Sequence, residues 1–461
     1  MIAPARIAAY DVLRAISRGR ADLPSAVVHA RAALEDDRDR ALAAEIATGV
    51  QRWRAALDHL IVRFAKRRID RLDPEVVDIL RLSIYQLVHL TRVPAAAVVD
   101  DAVNLAGKAG KKSARGFVNA VLRAVSRSRG ALPLPPRPDG VSRPERRHEE
   151  LEYLSVTLSH PPWLAARWLD RLGFDAAEKW MLFNNAAAPL TLRANRIKAD
   201  PEALAADLER VDVVVRPGAF APDALIVESG HPLKHPGVEA GTFVVQDEAS
   251  QLVTLLAGAN PGRSVLDACA SPGGKATAIA GTLGDSGRLI ACDVRARRIA
   301  LLRRTIAATG ARHVFVVQAD VEQPLPFSAT FDCVIVDAPC SGLGTLRRDP
   351  DIRWRRVEAD LPALAASQLA MLRNAGECVA PGGRLVYATC SSEPEENEMV
   401  VAEFASTPGF QPLDARKAHP LLPSAVVDER GHLRTAPDRH GLEAFFGAVF
   451  TRRGEPDRRS L

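Results

Sequence analysis

The chain has 461 residues, of which 47% are hydrophobic, 25% charged and 5% aromatic, with six cysteines and a formal net charge of +5. At about 100–200 residues per domain, this length predicts two to four domains with sizeable cores, and the composition excludes a disordered chain, a collagen and a disulfide scaffold. No run of about 18 apolar residues occurs, and the first twenty residues do not read as a signal peptide. We therefore expect a cytoplasmic protein with reduced thiols and no membrane partner.

Charge and thiols are divided unevenly along the chain. Residues 1–150 hold 27 Lys+Arg and 18 Asp+Glu, a balance of +9, whereas the remainder holds 34 and 38, a balance of −4. All six cysteines fall between Cys269 and Cys390. A basic front module favours nucleic-acid binding, although a single charge run is as readily a solvated helix face. Two basic clusters stand out: Arg63, Lys66, Arg67, Arg68 and Arg71, then Lys108, Lys111, Lys112 and Arg115.

Residues 1–130 are predicted to be helical, because apolar residues recur three and four positions apart. The clearest segment is Glu75–Leu90, preceded by Asp73 as a candidate N-cap and by Pro74 at the first helical position. Another helix is expected over Ser113–Val125. The apolar side of the first of these helices is formed by Val76, Leu80, Ile84 and Leu87.

The middle of the chain is predicted to be a linker followed by a small domain. Residues 131–147 contain five prolines and read as a linker. Residues 148–240 read as an α+β subdomain with helices over Pro162–Leu172 and Pro201–Arg210. The strands of this subdomain are predicted in PLTLRANRI, VDVVVRP and ALIVES.

Residues 241–451 are predicted to form an α/β domain, with a polar tail over 452–461. Five apolar runs alternate with helical stretches, which is typical of a doubly wound, Rossmann-like parallel sheet. These runs are SVLDACA, GRLIACD, HVFVVQAD, FDCVIVDA and GGRLVYATC. The predicted fold is therefore multidomain: an all-α front, a small α+β unit and a C-terminal α/β domain.

The first strand of that domain leads into the turn VLDACASPGGKATAIA. Gly273 and Gly274 allow a close backbone approach to a ligand, and the helix that follows offers free N–H groups to an anion. The pattern is neither a dinucleotide-binding motif nor a P-loop. Taken alone, this run could be a plain β–α turn.

Acidic residues also end the next two predicted strands, at Asp293 and Asp320, where they could bind ribose hydroxyls and a purine amino group. One such residue could be a helix cap, but acidic residues at three successive strand ends indicate a single ligand crevice. An adenosine-type ligand that carries a carboxylate fits, and S-adenosylmethionine is such a ligand.

Two cysteines lie in polar turns at strand ends: Cys340 in VDAPCSGLG and Cys390 in ATCSSEPEENE. The other four, Cys269, Cys292, Cys333 and Cys378, lie in or beside apolar runs and are expected to pack. No C-x2-C pair occurs, so a zinc site is disfavoured and no metal is expected. A thiolate that adds to C6 of a pyrimidine makes C5 nucleophilic, and Asp337 could stabilise the charge at N3.

The motifs ACASPGGK, VDAPCSGLG and ATCSSEPEENE, in this order, resemble the Sun/Fmu family of RNA cytosine-C5 methyltransferases. The resemblance implies that Cys390 attacks the base and that Cys340 assists product release. The second thiol implies RNA rather than DNA as substrate. Two departures, Ser271 where Ala is common and an interrupted G-F-F motif near Gly441, leave the reactive residues intact. The implied cofactor contacts are Cys269, Ala270, Ser271, Pro272, Gly273, Gly274, Lys275, Asp293, Arg298, Asp320 and Asp337.

The segments ARIAAYDVL, DPEVVDILRLSIYQLVHL and ARGFVNAVLR make the front resemble the NusB-like helical RNA-binding domain. This order of domains implies 16S ribosomal RNA, or an assembling small subunit, as the partner of a monomeric enzyme. Two alternatives stay open: the same chemistry on transfer RNA, and a non-catalytic RNA-binding or assembly factor, which would need neither thiol. Residues predicted to hold RNA phosphates near the reaction are Arg347, Arg348, Arg353, Arg355 and Arg356, with Trp354.

Overall fold

The computed structural model describes residues 2–139 and 144–454. The chain forms two compact units: Met1–Ala186 joined by the later segment Leu346–Glu358, and Ala187–Thr345 joined by Ala359–Leu461. Parts of the predicted linker and tail, residues 140–143 and 455–461, lie outside the described residues. Among the residues described, no helix combines the length and the apolar character that crossing a membrane requires.

The first unit is helical throughout, as predicted for the front of the chain. A π-helix over Tyr153–Thr157 separates its eighth and ninth α-helices. The helices are α1 (Pro4–Ser17), α2 (Leu23–Ala32), α3 (Asp37–Arg52), α4 (Arg54–Ala65), α5 (Pro74–His89), α6 (Ala95–Lys108), α7 (Arg115–Arg127), α8 (Arg147–Glu152), α9 (Pro162–Leu172), α10 (Phe174–Asn185) and, from the later segment, α16 (Ile352–Arg355).

Helix α5 forms the centre of this unit. Its predicted apolar residues are all buried, and neighbouring positions such as Ile79 and Leu82 are buried too, so the helix is enclosed on nearly every side. A helix that is apolar all round belongs in a core, and α1, α3, α4, α6 and α7 pack around it. Asp73 precedes α5 but makes no capping hydrogen bond. Its carboxylate instead lies 3.1 Å from the ammonium of Lys111.

The predicted α+β segment 148–240 is divided at residue 186. Its first three helices, α8–α10, cluster with the first unit, whereas its strands and the helix predicted over Pro201–Arg210 fall in the second. Hydrogen bonds attach the helical segment to the first unit. The hydroxyl of Ser159 accepts one from the backbone N–H of Ala55 at 2.9 Å. In the same way, Thr157 donates to the carbonyl of Pro135 at 2.6 Å.

The segment Leu346–Glu358 is packed into the helical unit through Arg353, which is fully buried. Its guanidinium donates hydrogen bonds to the carbonyl of Ser159 and the side-chain oxygen of Asn185, both at 3.0 Å. Burial, and to a lesser extent the nearby charge of Arg52, lower the pKa of Arg353 to about 9. The prediction that Arg353 holds an RNA phosphate is wrong, since the group is enclosed by neutral oxygens of its own chain. Trp354 is half-buried, and its indole N–H donates to the carbonyl of Gln51 at 2.6 Å.

Replacing Arg353 with Ala should destabilise the helical unit, because several buried oxygens then lose their donor. A decrease of about 3 kcal/mol in the free energy of unfolding is expected. All five tryptophans lie in this unit, at positions 53, 163, 168, 180 and 354, so tryptophan fluorescence during urea unfolding reports on it selectively. Arg68→Ala is the matched control, because that exposed side chain pairs with the exposed Asp70 of the same unit, and its loss should leave the unfolding midpoint nearly unchanged. Equal midpoints for the two variants would contradict the structural role.

The second unit contains a small antiparallel sheet with the strand order β2-β3-β1-β4. The strands are β1 (Thr191–Ala194), β2 (Val214–Pro217), β3 (Ala224–Ser229) and β4 (Phe243–Val245), accompanied by α11 (Pro201–Glu209) and α12 (Gly237–Ala240). Leu192, Leu204 and Leu225 meet in a core between the sheet and α11. The three strands and the helix predicted here are thus confirmed.

The large sheet of this unit has the order β10-β12-β9-β8-β5-β6-β7, with β11 paired to β12. The five strands from β9 to the edge strand β7 are parallel, and β10, β11 and β12 add antiparallel pairs on the other side. The strands are β5 (Ser264–Asp267), β6 (Arg288–Asp293), β7 (Val314–Gln318), β8 (Phe331–Asp337), β9 (Val379–Thr389), β10 (Phe410–Leu413), β11 (Leu433–Arg434) and β12 (Phe446–Arg452). The helices are α13 (Glu248–Leu255), α14 (Gly274–Leu283), α15 (Ala296–Thr309), α17 (Asp360–Gly376), α18 (Glu398–Ala405) and α19 (Pro437–His440).

Both faces of the large sheet are covered, which explains its continuous apolar runs. Successive residues of each strand pack into different cores. Val265 of β5 and Ile335 of β8 pack on one face of the sheet, and Leu266 of β5 and Val334 of β8 pack on the other. The five predicted parallel strands are confirmed as β5–β9, and the predicted α/β class of this domain is confirmed with them.

Candidate active site

Three neighbouring strands of the large sheet end at the same edge. β5 ends at Asp267, β8 at Asp337 and β9 at Thr389. β8 lies between the other two and runs parallel to both, with Asp267 opposite Ile335 and Asp337 opposite Ala388. Since parallel strands have their carboxyl ends on one edge, the turns that follow them come together there, where open α/β sheets bind ligands.

The two cysteines predicted to react are in contact at this edge. Cys340 follows β8 by three residues, Cys390 follows β9 directly, and their sulfur atoms are 3.3 Å apart. Both side chains are half-buried, whereas Cys292, Cys333 and Cys378 are buried in the cores. Three of the four other cysteines thus pack in the cores as predicted, whereas Cys269 is half-buried and lines the cavity described below.

The charges around the two thiols differ. The hydrogen bond with Cys390, then burial, then the negative charges of Cys390 and Glu396 raise the pKa of the Cys340 thiol well above its ordinary value. Burial alone would lower the pKa of Lys275, but its pairing with Asp337 at 2.7 Å outweighs burial and raises it, with a further contribution from Cys390. The ammonium of Lys275 thus lies within electrostatic range of Cys390, whereas the raised pKa of Cys340 favours its neutral thiol.

A cavity of about 390 Å³ opens beside this group. The turn between β5 and α14 forms one wall, and Gly273 in that turn has a φ of +110°, which only glycine adopts readily. A Cβ atom there would also lie 3.0 Å from the side chain of Leu302. The turn residues that line the cavity are Cys269, Ala270, Ser271, Pro272, Gly274 and Lys275, and further lining residues are Gln246, Ser250, Asp267, Thr305 and Asp337.

Asp267 is a cavity residue that the sequence interpretation did not include among the cofactor contacts. Its side chain is buried, and neither carboxylate oxygen has a hydrogen-bond partner among the residues described. Burial, reinforced by the charge of Asp337 and opposed by that of Lys275, raises the pKa of Asp267 to about 7, and the amide of Cys269 lowers it slightly. Buried carboxylates are normally satisfied, so this one indicates a ligand that supplies a donor or a positive charge. Its position at the strand end before the glycine turn was the available signal.

Asp293 and Asp320 lie at the neighbouring strand ends, and Arg298 lies in the first turn of α15. Asp293 ends β6, is buried, and lies 3.7 Å from the guanidinium of Arg298. Asp320 follows β7 by two residues and is exposed, and its carboxylate accepts the backbone N–H of Glu322 at 3.0 Å. The structure places these three beyond the residues that line the cavity, so their roles stay predictions.

Three family models match the chain. The model of the 16S rRNA methyltransferase RsmB/F matches residues 253–451, the NusB family model residues 3–127, and the RsmF/B-like ferredoxin-like domain residues 160–234. A probable ribosomal RNA small subunit methyltransferase B from Bacillus subtilis is 32% identical over 91% of this chain and 92% of its own length. The ribosomal RNA small subunit methyltransferase B of Pseudomonas putida is 32% identical over 93% and 96%. The chain belongs to the ribosomal RNA small subunit methyltransferase B family.

Membership of this family confirms the predicted family and the predicted enzyme class: an RNA methyltransferase with S-adenosylmethionine as methyl donor. Solved structures agree in fold. The crystal structure of PH0851 superposes with a TM-score of 0.79 at 24% identity and covers 98% of this chain and 99% of its own. A methyltransferase homologue from Pyrococcus horikoshii gives a TM-score of 0.57 at 24% identity over 68% and 100%.

The residues of the cavity fit this methyl donor. S-adenosylmethionine carries both positive charge and a carboxylate, and the cavity offers the unsatisfied carboxylate of Asp267 together with the first N–H groups of α14. The turn around Gly273 leaves room for the backbone to approach a ligand closely. Lys275 and Asp337 line the same cavity and connect it to the thiol pair.

Binding of S-adenosylmethionine should strengthen as pH rises through the pKa of Asp267. The pKa is raised to about 7, so the carboxyl is mostly protonated at pH 5.5 and mostly ionised at pH 7.5. A cationic ligand prefers the ionised form, so the affinity should increase on the order of tenfold across this window. Isothermal titration calorimetry measures the change, and Asp267→Asn should bind more weakly with little dependence on pH. An equal pH dependence in both proteins would contradict the assignment.

Proposed function

We propose that this protein methylates C5 of a cytosine in 16S ribosomal RNA through a covalent adduct between Cys390 and C6 of the base. The observation that carries the proposal is the contact of the Cys340 and Cys390 sulfur atoms beside the Lys275–Asp337 pair. A binding module or an assembly factor needs no such pair, so this geometry favours an enzyme over the non-catalytic alternative. The choice of 16S RNA draws on the matching family model and on the names of the relatives.

The first step assigned to the chain is attack by Cys390. Its sulfur atom, attacking as a thiolate, forms a bond to C6 of cytosine, and the C5–C6 π electrons make C5 a nucleophile. Asp337 at the end of β8 is the group proposed to stabilise the developing charge at N3. S-adenosylmethionine, when bound, supplies the electrophilic methyl group to C5.

The second step is release. A base removes the proton from C5, the electron pair restores the C5–C6 double bond, and the bond from C6 to the Cys390 sulfur breaks. Cys340 is the group next to that sulfur atom, and its raised pKa keeps it protonated. A protonated thiol in contact with the departing sulfur atom suits a role in release.

RNA binding is assigned chiefly to the helical unit. The cluster Arg63, Lys66, Arg67, Arg68 and Arg71 is exposed, although Arg68 pairs with Asp70 at 2.9 Å. Lys111 of the second cluster pairs with Asp73 and with Glu75. The remaining exposed cations can exchange their counterions for RNA phosphates. Ribosomal RNA as substrate, together with unoxidised thiols, is consistent with a cytoplasmic location.

The decisive test is methylation in vitro with labelled S-adenosylmethionine, offering 16S ribosomal RNA and transfer RNA separately and mapping the modified base. We expect 5-methylcytosine in 16S RNA. Cys390→Ala should abolish turnover, because it removes the proposed nucleophile, whereas Cys378→Ala, which removes a buried core thiol, should retain it. Methylation of transfer RNA alone would replace the proposed substrate, and turnover by Cys390→Ala would overturn the mechanism.

Cys340→Ala should attack normally but release slowly. A covalent protein–RNA complex that survives denaturing electrophoresis should therefore accumulate with the substrate RNA and S-adenosylmethionine. The double variant Cys340→Ala/Cys390→Ala should form no such complex, which controls for non-specific crosslinking. If the Cys340→Ala variant turns over at the wild-type rate and leaves no adduct, the separate roles of the two thiols are wrong.

A further inference from the structure

Glu396 is a fully buried carboxylate in the loop between β9 and α18. One of its oxygens accepts hydrogen bonds from the backbone N–H of Ser341 at 2.7 Å and from the amide of Gln368 at 2.9 Å. The other accepts from the hydroxyls of Ser341 and Ser391, both at 2.5 Å. Four donated hydrogen bonds on one carboxylate offset the free energy lost when this polar group leaves water, so the surrounding loops are built around this side chain.

The two serines are the residues that follow the two reactive cysteines. Ser341 comes directly after Cys340, and Ser391 directly after Cys390. One side chain therefore joins the loop after β8 to the loop after β9. A backbone bond from Gly344 to the carbonyl of Cys390, at 3.0 Å, joins the same two loops.

Glu396 and Gln368 together hold the Cys340 loop on both sides. Gln368, on α17, donates to the carbonyl of Pro339 at 3.0 Å, and Pro339 directly precedes Cys340. The position of Glu396 is itself fixed, because the hydroxyl of Tyr387 on β9 donates to its backbone carbonyl at 2.5 Å. Three of the four hydrogen bonds that the Glu396 carboxylate accepts come from the Cys340 loop and α17. The side chain therefore connects its own loop to these two elements.

We infer that Glu396 is a positioning residue for methyl transfer, which clamps the Cys340 and Cys390 loops so that the two sulfur atoms stay within reacting distance. The inference rests on the proposed function, since the spacing matters only if both thiols serve one reaction. Glu396 is not among the residues that line the cavity, so its effect on the reaction is exerted through the loops.

The activity test compares Glu396→Ala, Glu396→Gln and Glu398→Ala. Loss of the clamp should lower kcat of the Ala variant by about 100-fold, the usual consequence of a misplaced reacting group, with KM for RNA and Kd for S-adenosylmethionine nearly unchanged. Gln keeps the length and one acceptor oxygen and should recover about tenfold relative to Ala. Glu398, which pairs with Arg434 outside the two loops, should tolerate Ala with kcat near that of the wild type.

A kcat of Glu396→Ala within about threefold of an active wild type would overturn the inference. So would losses in RNA and cofactor binding that match the loss in kcat, because they would indicate general unfolding. If the Ala variant does not fold, Ser341→Ala and Ser391→Ala test the same clamp from the donor side. Wild-type rates in both serine variants would overturn it.

The spacing of the thiols can be measured without RNA, which separates failure of the inference from failure of the proposed function. A cyclic disulfide oxidant takes up two electrons and two protons as a Cys340–Cys390 disulfide forms from sulfur atoms 3.3 Å apart. Peptide mapping by mass spectrometry follows the rate. Glu396→Ala should slow the reaction about tenfold relative to the wild type and to Glu398→Ala. Equal rates would overturn the clamp even if the wild type proved inactive on RNA.

Discussion

The parallel pairing of β8 with both β5 and β9 is the constraint on which the site depends. Residues 70 positions apart, Asp267 and Asp337, end their strands side by side only because β8 runs parallel to β5 in that register. The pairing of Asp337 with Ala388 brings Cys390 to the same edge. A slip of one residue would turn the strand ends to the opposite face. The two buried cores on either side of the sheet oppose such a slip. Packing away from the edge therefore determines where the reactive residues lie at the edge.

The same edge places charged groups of opposite sign near the two thiols. Lys275, in the first turn of α14, pairs with Asp337 at the end of β8, and Cys390 contributes to the raised pKa of this ammonium. Glu396 lies in the loop after β9, and its negative charge adds to the raised pKa of Cys340. Two chemically identical side chains 3.3 Å apart therefore have different charged neighbours.

The sequence was informative where function needs several residues in one short motif. The strands β5–β9, the glycine turn and the two cysteine loops each lie within a few residues, so periodicity and turn chemistry located them. It was uninformative where a partner is distant in the chain. Arg353 looked like a phosphate ligand in a basic run, and only packing against Ser159 and Asn185 makes it a core residue. Glu396 lay within a quoted motif, but its bond to Ser341 spans 55 positions and no local pattern records it.

For three buried ionisable side chains, the hydrogen-bond partners determine whether the role is structural or functional. Arg353 donates to neutral oxygens of its own unit, so its hydrogen-bonding capacity is used in holding the fold together. Glu396 accepts from two loops, so its charge fixes their relation. Asp267 has buried oxygens for which the described residues supply no partner. A buried carboxylate in that state raises the free energy of the protein alone, and a cationic ligand relieves it. A buried charged group whose hydrogen bonds are all made within the protein has a structural role. A buried charged group that lacks such partners beside a cavity indicates that the ligand supplies them.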